Sequence, residues 1–240
     1  NLKIRSNIIM YNAALSACEG AERWEEASKL LQAAMQQKLR ADVVTAACCI
    51  GAFGRSHRWE EAMSLLQEFR NSDMLMNLIA YSAAISSCEK AKQWRLALRL
   101  FVEANDQQLQ PDIILWSVAI SACEKGEKWR SALSLLSSCE ANVVAYSAAI
   151  SACEKCRKWR QVLQLLGQMQ LKRLRGNIIT FNAAISACQR AKEWPVALQL
   201  LEDLRVWEVE ADRITYASAM LACEEAAAWR CSFTLLSMMY

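Results

Sequence analysis

Two prolines and six glycines are too few to turn the many corners of a β-sandwich or barrel. The single histidine, His57, leaves no nucleophile with an imidazole beside it, and no carboxylate pair stands out from the helix faces. No catalytic constellation is therefore visible, and His57 reads as an exposed turn residue. The longest apolar run, Val43 to Phe53, is too short to span a bilayer. Charge of one sign is also lacking: 28 Lys and Arg face 25 Asp and Glu, for a net charge of +3. That permits a nucleic-acid partner without demanding one, so any basic surface must come from arrangement. What is abundant is Ala, Leu, Glu, Lys, Arg and Gln, which favours helix. With 54% hydrophobic residues there is material for a continuous core.

Tryptophan keeps a clock. It recurs at Trp24, Trp59, Trp94, Trp129, Trp159, Trp194 and Trp229, at intervals of 35, 35, 35, 30, 35 and 35 residues. A stack of near-identical repeats has that property, because each buries its apolar face against the next. Cut in register, the repeats are 8–42, 43–77, 78–112, 113–142, 143–177, 178–212 and 213–240, with 1–7 as the tail of a preceding one. In the first run of a repeat, Tyr11, Leu15 and Cys18 form a helical stripe; in the second, Trp24, Ala27 and Leu31 do the same. Each repeat is thus two antiparallel helices of about three turns, and the fold class is an all-α, right-handed α-solenoid. The Trp stripe reads as core. Trp116 replaces the usual Tyr or Phe of the first helix, and Trp207 has no phase partner. Repeat 113–142 lacks five residues after Leu136, in the end of its second helix and the connection. The two ends look cut, so 1–240 is expected to be a piece of a longer array.

Eleven cysteines suggest a disulfide framework until they are placed in phase. Cys18, Cys88, Cys123, Cys153, Cys188 and Cys223 share one position. Neighbouring helices lie about 8–10 Å apart, whereas a disulfide needs Cα atoms nearer than about 7 Å. They read as small packing residues in a reducing compartment. Cys153 and Cys156 form a CxxC, but no second CxxC or nearby His completes a metal site. No metal and no cofactor is expected.

A 35-residue repeat of two helices, opening on Tyr-Asn or Tyr-Ser and closing on Asp or Asn, resembles the pentatricopeptide repeat family. The stretch Ile179-Thr-Phe-Asn-Ala-Ala-Ile185, followed by Ala197-Leu-Gln-Leu-Leu201 and Ala211-Asp212, carries the resemblance best, and it extends over the whole chain. The resemblance implies binding of single-stranded RNA, one base per repeat. It implies that the fifth and last residues read the base edge: Asn12 with Asp42, Ala47 with Asn77, Ser82 with Asp112, Ser117 with Asn142, Ser147 with Asn177, and Asn182 with Asp212. The last repeat offers Ala217 alone. It also implies that the second residues, Ile9, Val44, Ile79, Ile114, Val144, Ile179 and Ile214, pack on base faces. Work on chloroplast or mitochondrial transcripts (stability, processing, editing or translation) is a further implication, with no membrane partner.

The chemistry of the pairs agrees. An ionised Asp only accepts hydrogen bonds, which suits the ring N–H of uracil or guanine; Asn also donates, which suits adenine or cytosine. Small Ser leaves room for a purine and larger Asn favours a pyrimidine. The expected sequence is U, unassigned, G, A, A, U from the first repeat, with 5′ toward the N-terminus. Helix N-capping explains the terminal Asp or Asn as well. A third row, Arg55, Lys90, Lys125, Lys155 and Arg190, suits backbone phosphates or simply a helix C-terminus; Gly20 and Glu225 break it at the ends. Arg95, Arg130, Arg160 and Arg230 read as solvated surface. The rival functions are a protein-binding scaffold of the tetratricopeptide type and the RNA-targeting arm of a larger enzyme.

Overall fold

A computed structural model describes residues 8–36, 42–72, 76–226 and 228–238. The tail 1–7 and the side chains of Glu225, Trp229 and Arg230 lie outside the described residues. Fourteen helices, and among the described residues no strand, follow the repeat: α1 Ile8–Gly20, α2 Trp24–Gln36, α3 Val43–Arg55, α4 Trp59–Asn71, α5 Leu78–Lys90, α6 Trp94–Asp106, α7 Ile113–Lys125, α8 Trp129–Ser137, α9 Val143–Lys155, α10 Trp159–Leu171, α11 Ile178–Arg190, α12 Trp194–Val206, α13 Arg213–Glu225 and α14 Trp229–Met238. The all-α class and the two-helix repeat are those read from the sequence. Helix α8 has 9 residues where α6 and α10 have 13, so the shortening falls mainly in the second helix, as the register required.

The chain forms two compact bodies, Asn1–Ala122 and Cys123–Tyr240. In the first, α1 packs on α3 and α3 on α5; in the second, α9 packs on α11 and α11 on α13. Each second helix packs on its own partner or on the next first helix. Among the described residues of each body, successive second helices do not approach each other as closely. Within each body the first helices are therefore crowded and the second helices splayed, which puts the first-helix side on the inside of the bend.

Local chemistry sets the ends of the first helices. From α3 onward their starts are capped by the Asp or Asn that closes the previous repeat. Their ends are closed by a residue in the left-handed region: Glu22, His57, Lys92, Glu127, Arg157 and Lys192 have φ between 55° and 62°. The next amide then reaches back to the eleventh-position carbonyl, as from Gln93 to Cys88 at 2.8 Å and from Lys158 to Cys153 at 2.9 Å. The second helices start at Trp, and the described residues before α4, α6, α8 and α10 give no side-chain cap.

The core includes a row of large aliphatics from the first helices and two rows of small residues, beside buried second-helix leucines such as Leu66 and Leu136. Leu15, Ile50, Ile85, Ile120, Ile150 and Ile185 are fully buried, as are Ala27, Ala62, Ala97, Ala132 and Ala197. Burying each large side chain stabilises by about 1.5–3 kcal/mol. Cys88, Cys123, Cys153, Cys188 and Cys223 are buried too, and all eleven cysteines are free. Burial pushes the Cys153 and Cys188 thiols up to about 12, which keeps them protonated and poor nucleophiles.

Two expectations need correcting. No described Trp of the clock is fully buried: Trp24, Trp59, Trp94, Trp129, Trp159 and Trp194 are half-buried at the helix-turn edge. Cations cover the outer faces of Trp24, Trp94, Trp129 and Trp159, with Arg58 3.9 Å from the Trp24 ring centre and Arg95, Arg130 and Arg160 each 5.1–5.2 Å from the ring of the preceding Trp. These arginines are ring covers as well as surface. Trp207, unexplained by phase, packs edge-on against Phe181 at 5.4 Å, beside Gly176, where a Cβ would lie 3.2 Å from Phe181.

Candidate nucleic-acid interface

The second residue of every first helix points away from the core. Ile9, Val44, Ile79, Ile114, Val144, Ile179 and Ile214 are 50–70% exposed. Single exposed aliphatics are ordinary. Seven in one phase, all β-branched, form a repeated apolar surface that packing does not explain.

The last residue of each repeat is fixed by capping. Oδ1 of Asp42, Asn77, Asp112, Asn142, Asn177 and Asp212 accepts the amide three residues on, at 2.8, 3.0, 2.8, 2.9, 3.0 and 2.8 Å. The cap uses the one oxygen that Asp and Asn share. It therefore explains why the residue is Asp or Asn, and not which. The second atom, an acceptor in Asp and a donor in Asn, is where the two differ.

The fifth residues meet these caps. Asn12 Nδ2 donates to both carboxylate oxygens of Asp42, at 3.1 and 3.2 Å; Asn182 does the same to Asp212, at 3.3 Å each. A third residue completes both clusters. Thr45 Oγ1 donates to Asn12 Oδ1 at 2.7 Å, and Thr215 Oγ1 to Asn182 Oδ1 at 2.6 Å. Because a hydroxyl donor faces Oδ1, the amide is turned with Nδ2 toward the carboxylate. In the fifth repeat the Ser147 hydroxyl lies 2.7 Å from the Thr180 hydroxyl and also within donating distance of the Val143 carbonyl at 2.8 Å, and Thr180 Oγ1 lies 2.8 Å from Asn177 Oδ1. Thr45, Thr180 and Thr215 are fully buried, so their rotamers are locked by packing. Partial burial raises the Asp42 carboxyl, but hydrogen bonds from Thr45 and Asn12 outweigh it and hold it below its ordinary value. The Thr215 amide does most to hold Asp212 down, helped by the Thr215 hydroxyl and Asn182.

Elsewhere the fifth position differs. Ala47 is buried and offers nothing polar. Ser82 is partly exposed, while Ser117, like Ser147, donates to a carbonyl of its own helix, that of Ile113 at 2.7 Å.

The cation row is largely neutralised by a glutamate row at the twelfth position of the preceding repeat. Arg55 reaches Glu19 at 3.4 Å, Lys155 reaches Glu124 at 2.9 Å and Arg190 reaches Glu154 at 3.0 Å. Lys125 lies 3.9 Å from the adjacent Glu124. Serines at the ninth position join in: Ser121 donates to Glu89 at 2.7 Å and Ser186 to Glu154 at 2.9 Å. Within the described residues, Lys90 alone of the row has no carboxylate partner, because Gly54 stands where a glutamate would.

A model of the pentatricopeptide repeat domain matches residues 64–125 and 137–191, and one of the single repeat matches 44–74 and 179–209. The chain belongs to the pentatricopeptide repeat family. Maize PPR10 in complex with an 18-nucleotide psaJ RNA element is similar in fold: TM-score 0.76, 22% identity, covering 96% of this chain and 34% of that one. Maize PPR10 without that RNA gives a TM-score of 0.66 at 20% identity over 90% of this chain and 32% of the other. The pentatricopeptide repeat domain of Arabidopsis thaliana protein-only RNase P 1, in complex with tRNA, gives 0.58 at 13% identity, covering 64% of this chain and 84% of the other. This pentatricopeptide repeat chain thus spans about a third of the length of the maize protein. No curated protein sequence matches it.

Sequence reasoning missed two rows of this pentatricopeptide array: the glutamates Glu19, Glu89, Glu124 and Glu154, and the threonines Thr45, Thr180 and Thr215. Both carried a signal. Glu precedes Lys in three repeats in one phase, and Thr sits three residues after the cap, where a capping box places it. Their partners lie in the neighbouring repeat, which phase alone does not reveal.

Proposed function

We propose that this chain is a sequence-selective single-stranded RNA-binding array that reads one base per repeat and performs no chemistry itself. The observation that carries the proposal is the pairing of rows: an exposed β-branched residue at every second position beside a cap whose second side-chain atom is an acceptor in Asp42, Asp112 and Asp212 and a donor in Asn77, Asn142 and Asn177. The aliphatics Ile9, Val44, Ile79, Ile114, Val144, Ile179 and Ile214 pack on base faces. The fifth and last residues meet base edges, giving U, unassigned, G, A, A, U from the first repeat, with 5′ toward the N-terminus. The ionised Asp42 and Asp212 accept from a uracil ring N–H; the Asn142 and Asn177 amides donate to an adenine ring nitrogen. Ala47 explains the unassigned base. The cation row meets phosphates where carboxylates leave it free. The maize relative was crystallised with an RNA element, which supports RNA as the partner. Action on chloroplast or mitochondrial transcripts is the family's setting and is the one proposed here.

A competition assay tests this. An RNA containing the matched six bases binds more tightly than one with the five assigned bases changed. Equal affinity for the two sinks base reading and favours a peptide in the groove.

A further inference from the structure

Helix α8 ends one turn earlier than α6 or α10. The lost turn opens a cavity of about 400 Å³ between α8 and α10, inside the second body. At that level of the stack α2, α4, α6, α10 and α12 each bury one apolar side chain, at the twenty-seventh position of the repeat: Ala34, Phe69, Ala104, Met169 and Leu204. Repeat 113–142 has no residue there, since its five missing positions include that one.

The walls are apolar, from Leu133, Leu136 and Leu165. Three donors line them. Tyr146 is only 2% exposed, yet its hydroxyl makes no hydrogen bond to any described residue. Lys172 Nζ stands 5.6 Å from the centre of the Tyr146 ring and has no carboxylate partner among the described residues. Gln168 completes the set, and no acidic side chain lines the cavity.

The third repeat shows what this arrangement lacks. Tyr81 is the counterpart of Tyr146 and follows the full-length α4. Its hydroxyl lies 2.8 Å from Glu103 Oε1, to which it donates, and Arg70 meets the same carboxylate at 2.9 Å. Gln168 stands in the register of Glu103, twenty-two residues beyond its tyrosine, and the position of Arg70 is among those that repeat 113–142 has lost. In the fifth repeat the tyrosine and a cation, Lys172, are therefore present, and an amide replaces the carboxylate. A hydroxyl, an ammonium and an amide N–H are all donors. Together they suit one carboxylate, and the leucines suit hydrocarbon beside it. A nucleic-acid phosphate brings no such hydrocarbon.

We infer that this cavity docks a protein partner through a glutamate side chain that has an aliphatic neighbour. The carboxylate accepts from Tyr146 and Gln168 and pairs with Lys172, and the aliphatic group fills the level that the lost turn leaves open. The cavity lies on the second-helix side of the body, whereas the base-reading row lies on the first helices. The partner and an RNA strand therefore bind together without competing.

The test uses the full chain and a fluorescein-labelled, end-blocked peptide Ala-Leu-Glu-Leu-Ala, read by fluorescence anisotropy. Its glutamine counterpart Ala-Leu-Gln-Leu-Ala, free glutarate and U-N-G-A-A-U RNA serve as competitors. The glutamate peptide binds at least about tenfold more tightly than the glutamine one, the low end for hydrogen bonds to a charged group. Tyr146→Phe removes most of that advantage and leaves Tm unchanged, because the hydroxyl has no partner within the chain. Gln168→Glu supplies the carboxylate from within, as the third repeat does, so it raises Tm and abolishes peptide binding. Neither substitution alters RNA affinity. Equal binding of the two peptides, or no binding at about 1 mM, overturns the inference, as does a Tyr146→Phe chain that keeps the full glutamate advantage. Displacement of the peptide by the RNA makes the cavity a nucleic-acid site, and displacement by glutarate at equal concentration makes it a small-molecule site; either result also overturns it.

Discussion

Thr215→Val separates the reading of a base from the holding of a fold. Valine keeps the shape of the fully buried Thr215 and removes only its hydroxyl. That hydroxyl donates to Asn182 Oδ1 at 2.6 Å and lies 2.8 Å from Asp212 Oδ1. The backbone cap from the Thr215 amide to Asp212, at 2.8 Å, survives. The hydroxyl also accepts the Asp212 amide at 3.1 Å, so two hydrogen bonds are lost, at about 1 kcal/mol each. For a chain of this size a loss of about 2 kcal/mol lowers Tm by roughly 4–8 °C. The bond to Asn182 is what orients the Asn182 amide, since a hydroxyl donor selects its oxygen and turns Nδ2 toward Asp212. Without it only the two long bonds from Nδ2 to Asp212 orient the amide, and a lost bias of about 1 kcal/mol corresponds to about fivefold in discrimination. Competition binding with RNAs differing only at the base facing the sixth repeat reads this directly. Thr215→Val narrows the preference for U by up to about fivefold, and Thr215→Ser restores it. A lowered Tm with unchanged preference, or an equal loss of affinity for every base, refutes the positioning role.

Three other outcomes follow from the same geometry. Ile150→Ala, at a fully buried position, destabilises by about 2–5 kcal/mol in chemical denaturation; a cost under 1 kcal/mol means the aliphatic row is not the core. Glu154→Gln costs about 1 kcal/mol, modest because Arg190 is partly exposed, yet it frees Arg190 and steepens the salt dependence of RNA binding by about 0.7; an unchanged slope counts against a self-neutralised cation row. The Asp212 carboxyl is held below its ordinary value by Thr215 and Asn182. Its contribution is therefore complete above the unfolded value of about 3.9 and is lost as pH falls through the lower folded one. Preference for U at the sixth repeat stays constant from pH 8 to 5, and a decline across that range contradicts the assignment.

The fold was legible because repetition writes itself into sequence. Trp24 to Trp229 mark the start of each second helix, and the stripe of Tyr11, Leu15 and Cys18 gives the inward side of the first. Exposure of Ile9 or Ile179 was legible only through resemblance, since an aliphatic in the first turn reads equally as core. Contacts between repeats were not legible. Whether Lys155 meets a phosphate or Glu124, and whether Thr45 touches Asn12, depends on the stagger between adjacent first helices, and the period is silent about stagger. The tryptophans were misread for a related reason. Their phase places them on the inward stripe, but they stand at the first residue of the helix, beside the turn, where burial is only partial.

Asn182→Ser combined with Asp212→Asn tests the central claim most directly. Asn at 212 keeps the capping oxygen and replaces the second acceptor with a donor, while Ser at 182 makes room for a purine. Measured against RNAs varied one base at a time, the doubly substituted chain moves its preference from U to A at the base facing the sixth repeat and nowhere else. An unchanged preference for U, or a uniform loss across all positions, contradicts the account.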